Sequence, residues 1–109
     1  RMTEKELQDA IMEWATLFGW TIQHNYDSRR ALPGWPDLVL GRRHDYGSNL
    51  PDASVLFWEL KTAKGKVTAL QEEWLTMLDL AGCEARVIRP DDLEWCIDRL
   101  KYPDRGDKF

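Results

Sequence analysis

Apolar residues recur at helical spacing in three parts of the chain, and four shorter runs between them have the character of strands. The first periodic segment covers residues 4–18 and is closed by a glycine. The second covers residues 69–81, and a third helix begins at Asp91. Strands are predicted for four runs, of which the third is the most continuously apolar: residues 20–24, 37–40, 54–61 and 85–89.

These elements follow the order helix, three strands, helix, strand, helix. The links between the first three strands are too short for a crossover helix, so these strands are expected to form an antiparallel meander. The helix before the fourth strand permits a parallel crossover. The sequence therefore predicts an α/β fold with a mixed four-stranded sheet flanked by helices, in the order αβββαβα. One domain is expected over residues 1–102, with a frayed C-terminal tail over residues 103–109.

Length and composition narrow the class of protein. A chain of 109 residues that is 43% hydrophobic and 31% charged suits one globular domain. No apolar run approaches the ~18 residues that a membrane span needs, so no membrane partner is expected. Cys83 and Cys96 are too few for a disulfide scaffold, which favours a cytoplasmic, reducing compartment. We expect no small-molecule cofactor.

The charge is unevenly distributed. The net charge of -4 argues against a nucleic-acid ligand on bulk charge alone. Residues 29–66, however, hold seven cations against four acids, whereas residues 67–98 hold two cations against eight acids. This pattern fits either two solvated faces or a basic surface that contacts phosphates.

Acidic and basic residues at two strand ends are the candidate metal-binding and catalytic residues. Asp37 begins the second strand, and Glu59 and Lys61 lie at the end of the third, on one face because side chains alternate along a strand. If the two strands pair, Asp37 lies beside Glu59. Two close carboxylates attract a hard divalent ion such as Mg²⁺ or Mn²⁺, to which the Leu60 carbonyl adds a further oxygen. Lys61 is then placed to orient a water molecule and to counter phosphate charge, which is the equipment of metal-assisted phosphodiester hydrolysis.

These residues belong to a longer sequence pattern made of three segments. Gly34-Trp35-Pro36-Asp37-Leu38 is followed by Glu59-Leu60-Lys61 and then by Gly65-Lys66-Val67-Thr68-Ala69-Leu70-Gln71. The ordered set resembles the VRR-NUC domain, a family of the PD-(D/E)XK nuclease superfamily, over nearly the whole chain. The resemblance implies the PD-(D/E)XK restriction-endonuclease-like core, with Asp37, Glu59 and the Leu60 carbonyl as metal ligands and Lys61 as the catalytic lysine.

The same resemblance implies two further site residues. Gln71 would be the helix glutamine that supports the lysine, and Glu6 would be the first-helix acid that reaches the metal. Thr3 with Glu6 and Thr68 with Gln71 also fit capping boxes, in which both residues only begin a helix. The sequence leaves both interpretations open, and they are compatible.

Basic residues surround the candidate site in sequence. Such side chains position a duplex without reading its bases, although each also fits an ordinary solvated loop. The candidates for contacts with the DNA backbone are Lys64 and Lys66 on a glycine turn, and Arg29, Arg30, Arg42 and Arg43 around the second strand.

The resulting hypothesis is an Mg²⁺- or Mn²⁺-dependent endonuclease that acts on DNA. By resemblance to stand-alone members of the family, we expect a homodimeric enzyme of phage or bacterial origin that cuts branched DNA such as four-way (Holliday) junctions. Two alternatives keep the same fold without catalysis: a module that binds DNA structures, and a protein-interaction module.

Overall fold

The computed structural model describes residues 1–24, 32–44 and 52–105. The element order confirms the predicted one. The helices and strands are α1 (Glu4–Leu17), β1 (Thr21–His24), β2 (Leu38–His44), β3 (Asp52–Leu60), α2 (Ala69–Leu80), β4 (Glu84–Ile88) and α3 (Leu93–Lys101), with short 3-10 turns at Pro90–Asp92 and Pro103–Arg105.

The four strands form one sheet in the order β1-β2-β3-β4. The β1–β2 and β2–β3 pairs are antiparallel, and β3–β4 is parallel. The predicted α/β class with a mixed, helix-flanked sheet is confirmed. In the β2–β3 register Leu38 lies opposite Trp58, so the next step along both strands brings Asp37 to Glu59.

The main core lies between one face of the sheet and the helices α1 and α3. Alternation along the strands turns Leu38 and Leu40 of β2, and Leu56 and Trp58 of β3, toward this face. These side chains are buried in one cluster with residues of α1, α3 and β4: Leu7, Ile11, Ala15, Ile88, Cys96 and Leu100. Trp58 also packs on Trp95, with ring centroids 5.9 Å apart.

The opposite face carries α2 and a smaller aromatic cluster. Trp35 meets Trp74 of α2 edge-on at 5.0 Å and Phe57 of β3 at 5.9 Å between ring centroids. Offset and edge-on ring pairs of this kind add about 0.5–1.5 kcal/mol beyond the area they bury. The cluster joins the segment before β2, the middle of β3 and the first half of α2. It therefore fixes the three elements on which the candidate site stands.

The β2–β3 ribbon is longer than the sequence predicts. β2 continues to His44 and β3 begins at Asp52, although the sequence between residues 42 and 53 is polar. Hydrogen bonds hold the extension, since His44 Nε2 lies 3.0 Å from Ser54 Oγ, whose hydroxyl donates to the Pro103 carbonyl at 2.8 Å. Polar residues thus complete these strands by pairing with a distant part of the chain.

The ordered chain also continues beyond residue 102. Pro103 is fully buried, and its carbonyl accepts a second hydrogen bond from Arg99 Nη1 at 3.0 Å. The 3-10 turn at Pro103–Arg105 therefore begins with a residue that packs on the domain, while the predicted boundary at residue 102 stays a prediction. Residues 106–109 of the predicted tail lie outside the described residues.

In the described parts of the chain, no helix has the length and apolar character that crossing a bilayer requires.

Gly34 sets the approach of the chain to the start of β2. Its φ is +81°, a region that non-glycine residues rarely adopt. A Cβ atom at this position would lie 2.6 Å from the Leu70 carbonyl carbon and 2.7 Å from the Leu70 oxygen, both in the backbone of α2. Because backbone atoms cannot swing aside, only glycine lets this turn lie against α2.

The substitution Gly34→Ala is expected to destabilise the domain through this clash. Gly82→Ala is a matched control, because Gly82 also has a positive φ, +89°, but its Cβ would meet nothing within 4 Å. The control should lose about 1–2 kcal/mol for the left-handed conformation alone, and Gly34→Ala should lose about 1–3 kcal/mol more. Urea unfolding measures both, and equal losses would contradict the close approach of Gly34 to α2.

Candidate active site

Asp37 is fixed at the point where the chain enters β2. It follows Pro36, which is fully buried. Its Oδ2 accepts a hydrogen bond from the backbone N–H of Leu60 at 2.8 Å. This bond ties the carboxyl group to the end of the neighbouring strand and leaves the other oxygen, Oδ1, to the site. The antiparallel register therefore places Asp37 where the sequence predicts it.

Glu59 is the most constrained ionisable group of the site. Only 2% of the residue is exposed. Burial and a hydrogen bond with Asp37, together with the negative charge of Asp37, raise the pKa of Glu59 to about 9, while the charge of Lys61 acts in the opposite direction. Without a cation, the pair is therefore held together by a proton that Glu59 keeps at neutral pH.

Lys61 follows directly after β3 and is also buried, with 9% of the residue exposed. Its backbone N–H donates to the Ile88 carbonyl of β4 at 3.0 Å, which extends the β3–β4 pairing by one residue. Alternation puts its side chain on the same face as that of Glu59. Its charge lowers the pKa of Glu59, so the ammonium group lies within electrostatic reach of the acid pair.

Gln71 caps α2 and contacts the site at the same time. Its Oε1 accepts from the Thr68 backbone N–H at 2.9 Å, and its backbone N–H donates to Thr68 Oγ1 at 3.2 Å. Its Nε2 donates to Glu59 Oε2 at 3.2 Å. The two interpretations that the sequence leaves open are therefore both present in one side chain.

Glu6 takes part in a capping box. Its Oε1 accepts from the Thr3 backbone N–H at 3.0 Å, and its own N–H donates to Thr3 Oγ1 at 3.1 Å. These bonds lower the pKa of Glu6. Glu4, an exposed acid in the same turn of α1, adds the last of the electrostatic contributions that raise the pKa of Glu59. The structure shows Glu6 in the helix cap, and its predicted role at the metal stays a prediction.

The predicted DNA-binding residues are spread over a larger surface. Lys64 and Lys66 are exposed in the segment between Lys61 and α2. Arg43 is exposed near the far end of β2, and its neighbour Arg42 is half-buried. The predicted contacts Arg29 and Arg30 lie outside the described residues.

The carboxylate oxygens of Asp37 and Glu59 are suitable ligands for a hard divalent cation that has few protein ligands. The described residues contain no group of three or more His, Cys, Asp and Glu side chains that could hold a metal ion. Two carboxylates suffice for Mg²⁺, which usually keeps several waters and takes other ligands from substrate phosphates. Glu59 Oε1 is buried and has no hydrogen-bond partner among the described residues, so one acceptor of the pair remains unsatisfied.

A comparison with protein-family models found one match, the VRR-NUC domain, over residues 2–92. The match contains every helix and strand that supplies a residue to the candidate site, from α1 to β4. No curated protein matched the chain. No solved structure matched it either.

The raised pKa of Glu59 predicts a stability that falls as the pH rises. Between pH 4.5 and about 9 the unfolded chain releases a proton that folded Glu59 keeps, so the free energy of unfolding decreases over this interval. Glu59→Gln stays neutral and escapes this loss. We expect its Tm to exceed that of the wild type by at least ~5 °C at pH 8, with the difference vanishing near pH 4.

Circular dichroism melting curves between pH 4 and pH 9 test this expectation. Glu73→Gln, an exposed position on α2, is the control and should follow the wild type at each pH. A constant difference between Glu59→Gln and the wild type across the range would show that Glu59 is ionised in the folded protein.

The two roles of Gln71 are separable by a pair of variants. Thr68→Ala removes the cap alone, whereas Gln71→Ala removes the cap and the bond to Glu59. Each should lose about 1 kcal/mol of stability. In a calorimetric Mn²⁺ titration, only Gln71→Ala should also lose about tenfold in affinity, because a ligand's hydrogen-bond partner orients it. Equal affinities would assign Gln71 to the helix cap alone.

Proposed function

Because the chain belongs to the VRR-NUC family, whose domain is a nuclease of the PD-(D/E)XK type, we propose that it is a metal-dependent endonuclease that hydrolyses phosphodiester bonds of branched DNA. The family assigns a nuclease-type function in DNA processing. The observation that supports catalysis in this chain is the buried pair Asp37–Glu59, which shares its corner of the sheet with Lys61 and Gln71.

Asp37 and Glu59 would hold the ion, Mg²⁺ or Mn²⁺, with the Leu60 carbonyl as a third oxygen. Glu6 would be the first-helix acid that contributes to the ion through water, beside its capping bonds. When bound, a divalent ion stabilises the negative charge that develops on the phosphoryl oxygens. Gln71 orients Glu59 by donating to Oε2, which leaves the unpartnered Oε1 as the ligand atom.

Lys61 would supply a positive charge for the phosphate and would orient the attacking water. Its ammonium group, at the open side of the pair, orients the attacking water and counters the charge of the scissile phosphate. The water oxygen forms the new bond to phosphorus, and the bond from phosphorus to the 3′-oxygen breaks. The attacking water loses a proton to solvent and the departing 3′-oxygen takes one up, so the products are a 5′-phosphate and a 3′-hydroxyl. Fixing Lys61 through its backbone to β4 reduces the cost of ordering it in the transition state.

DNA would approach across the face that carries the carboxyl groups. Lys64 and Lys66 lie beside the site, and Arg43 of β2 shares its face, since Arg43 is an even number of residues along the chain from Asp37, which directly precedes β2. Six residues of strand separate these two side chains by about 20 Å, so Arg43 would contact the backbone about six base pairs from the cut. Arg42, Arg29 and Arg30 complete the proposed backbone contacts.

A homodimer would give the symmetrical cuts that a four-way junction requires. One site cuts one strand in an encounter, whereas two copies related by a twofold axis present two sites. Exposed apolar side chains are available for such an interface, with Leu17 of α1 at 69% and Leu80 of α2 at 81% exposure. A cytoplasmic location and a phage or bacterial origin belong to the same proposal.

Cleavage of a DNA panel tests the function. With Mg²⁺ or Mn²⁺, the protein should cut a labelled four-way junction faster than a flap or a linear duplex, and EDTA should stop the reaction. Sedimentation should show a dimer at the concentration of the assay. Binding without cleavage would identify a non-catalytic DNA-structure-binding module, and neither binding nor cleavage would favour a protein-interaction module.

Variants of the site assign the reaction to these residues. Lys61→Ala and Asp37→Asn should each reduce the rate by at least ~10³-fold while the folded state and junction binding persist. Lys5→Ala, which removes an exposed lysine of α1 paired with Asp9, is the control and should cut at the wild-type rate. Full activity in Lys61→Ala would exclude this lysine from the mechanism.

A further inference from the structure

We propose that Arg89 is a positioning residue that holds the turn Thr62–Gly65, and with it Lys64 and Lys66, against the end of β4. The inference rests on the proposed function, because the turn matters through the DNA backbone that its lysines would contact. Arg89 itself follows β4 and belongs to none of the motifs that predict the site.

The side chain of Arg89 binds backbone carbonyls of the turn. Its Nη1 donates to the Thr62 oxygen at 2.8 Å and to the Gly65 oxygen at 2.8 Å, while the Ala63 oxygen lies farther away at 3.5 Å. One guanidinium nitrogen of this kind carries two hydrogens, so the two short bonds use both. Within the turn itself, the Gly65 N–H reaches the Thr62 oxygen only at 3.3 Å. The two bonds from the Arg89 guanidinium group are therefore shorter than the turn's own backbone hydrogen bond.

Arg89 is itself well anchored. Its backbone N–H donates to Asp92 Oδ2 at 2.8 Å, at the start of the 3-10 turn that precedes α3. Its side chain is half-buried between β4 and the turn. The preceding residue, Ile88, accepts the backbone N–H of Lys61. The end of β4 thus fixes the catalytic lysine through the main chain and the following turn through the Arg89 side chain.

This division of contacts separates two effects. Lys61 keeps its backbone bond to Ile88 when Arg89 is replaced, so the chemical step should be largely retained. Lys64 is exposed in the turn and Lys66 directly follows it, and the turn loses its two short bonds. Ordering the turn then has to occur on binding, which weakens affinity. Loss of Arg89 should therefore raise KM more than it lowers kcat.

Arg89→Met and Arg89→Lys test the inference, with Arg86→Met as the matched control. Arg86 is on the same strand, but its guanidinium carbon lies over the Trp95 ring at 4.2 Å, away from the turn. Binding of a labelled four-way junction is measured in EDTA, so that no cleavage interferes. Arg89→Met should weaken binding about tenfold and flatten its salt dependence by up to about two phosphate contacts, with kcat reduced less than about threefold. Arg86→Met should bind and cut like the wild type.

A double-mutant cycle distinguishes positioning from general destabilisation. If Arg89 acts through the turn, Arg89→Met should have little further effect on junction affinity in a Lys64→Ala/Lys66→Ala background. Both short bonds of Arg89 come from one nitrogen, and a lysine ammonium group also has several hydrogens to donate, so Arg89→Lys should recover part of the affinity that Arg89→Met loses. Additive losses in the cycle would overturn the inference.

Amide hydrogen exchange gives a readout that is independent of DNA. Replacing Arg89 by Met should speed exchange at residues 62–66 relative to the wild type, while exchange in β3 stays unchanged. Unchanged exchange in the turn would show that Arg89 does not hold it. If the wild-type protein binds and cuts none of the DNA probes, the proposed function fails, and the exchange experiment still decides whether Arg89 fixes the turn.

Discussion

Two carboxyl groups, those of half-buried Asp37 and buried Glu59, meet at the end of β3, where little water is available to screen their charges. With its pKa at about 9, Glu59 keeps a proton there at neutral pH unless a cation replaces it. The surrounding bonds, from the Leu60 N–H to Asp37 and from Gln71 to Glu59, hold the pair in place. Such a pair costs stability in the absence of a counter-charge. On the proposed function, a divalent ion would replace the proton and remove this cost, which is the reason to propose the functional site here.

Three sets of contacts between helices and strands form that corner of the sheet. The antiparallel register of β2 on β3 brings the two acids together, and the parallel strand β4 fixes Lys61 through the Ile88 carbonyl. The close approach of Gly34 to α2 and the Trp35 cluster bring the helix, and with it Gln71, over the end of β3. Each set of contacts joins residues that are far apart in sequence. The site is therefore a property of the assembled sheet and is absent from any isolated strand or helix.

Sequence reasoning succeeded where local rules apply. The apolar periodicity predicted the order of helices and strands, and strand alternation placed Glu59 and Lys61 on one face. For Glu6 the sequence leaves two roles open, and the structure shows its capping bonds to Thr3. The extension of β2 to His44 was missed because its polar residues pair with Ser54 and, through it, with Pro103. Arg89 was missed for a similar reason, since its partners are backbone carbonyls, which leave no trace in the sequence.

The acidic net charge is compatible with a DNA substrate because phosphates respond to nearby charges. At physiological salt the potential of an exposed charge decays over about 8 Å, so distant acids add little at the site. The exposed acids of α2, Glu72, Glu73 and Asp79, lie on the outer surface of that helix, whereas Lys64 and Lys66 lie on the turn before it. On the proposed function, the acids of α2 would repel a duplex from the part of this face that the helix covers, next to β4, and leave the part along β2 with Arg43 as the open approach. The same excess of acid that lowers bulk affinity would then select the direction from which the substrate reaches the carboxyl pair.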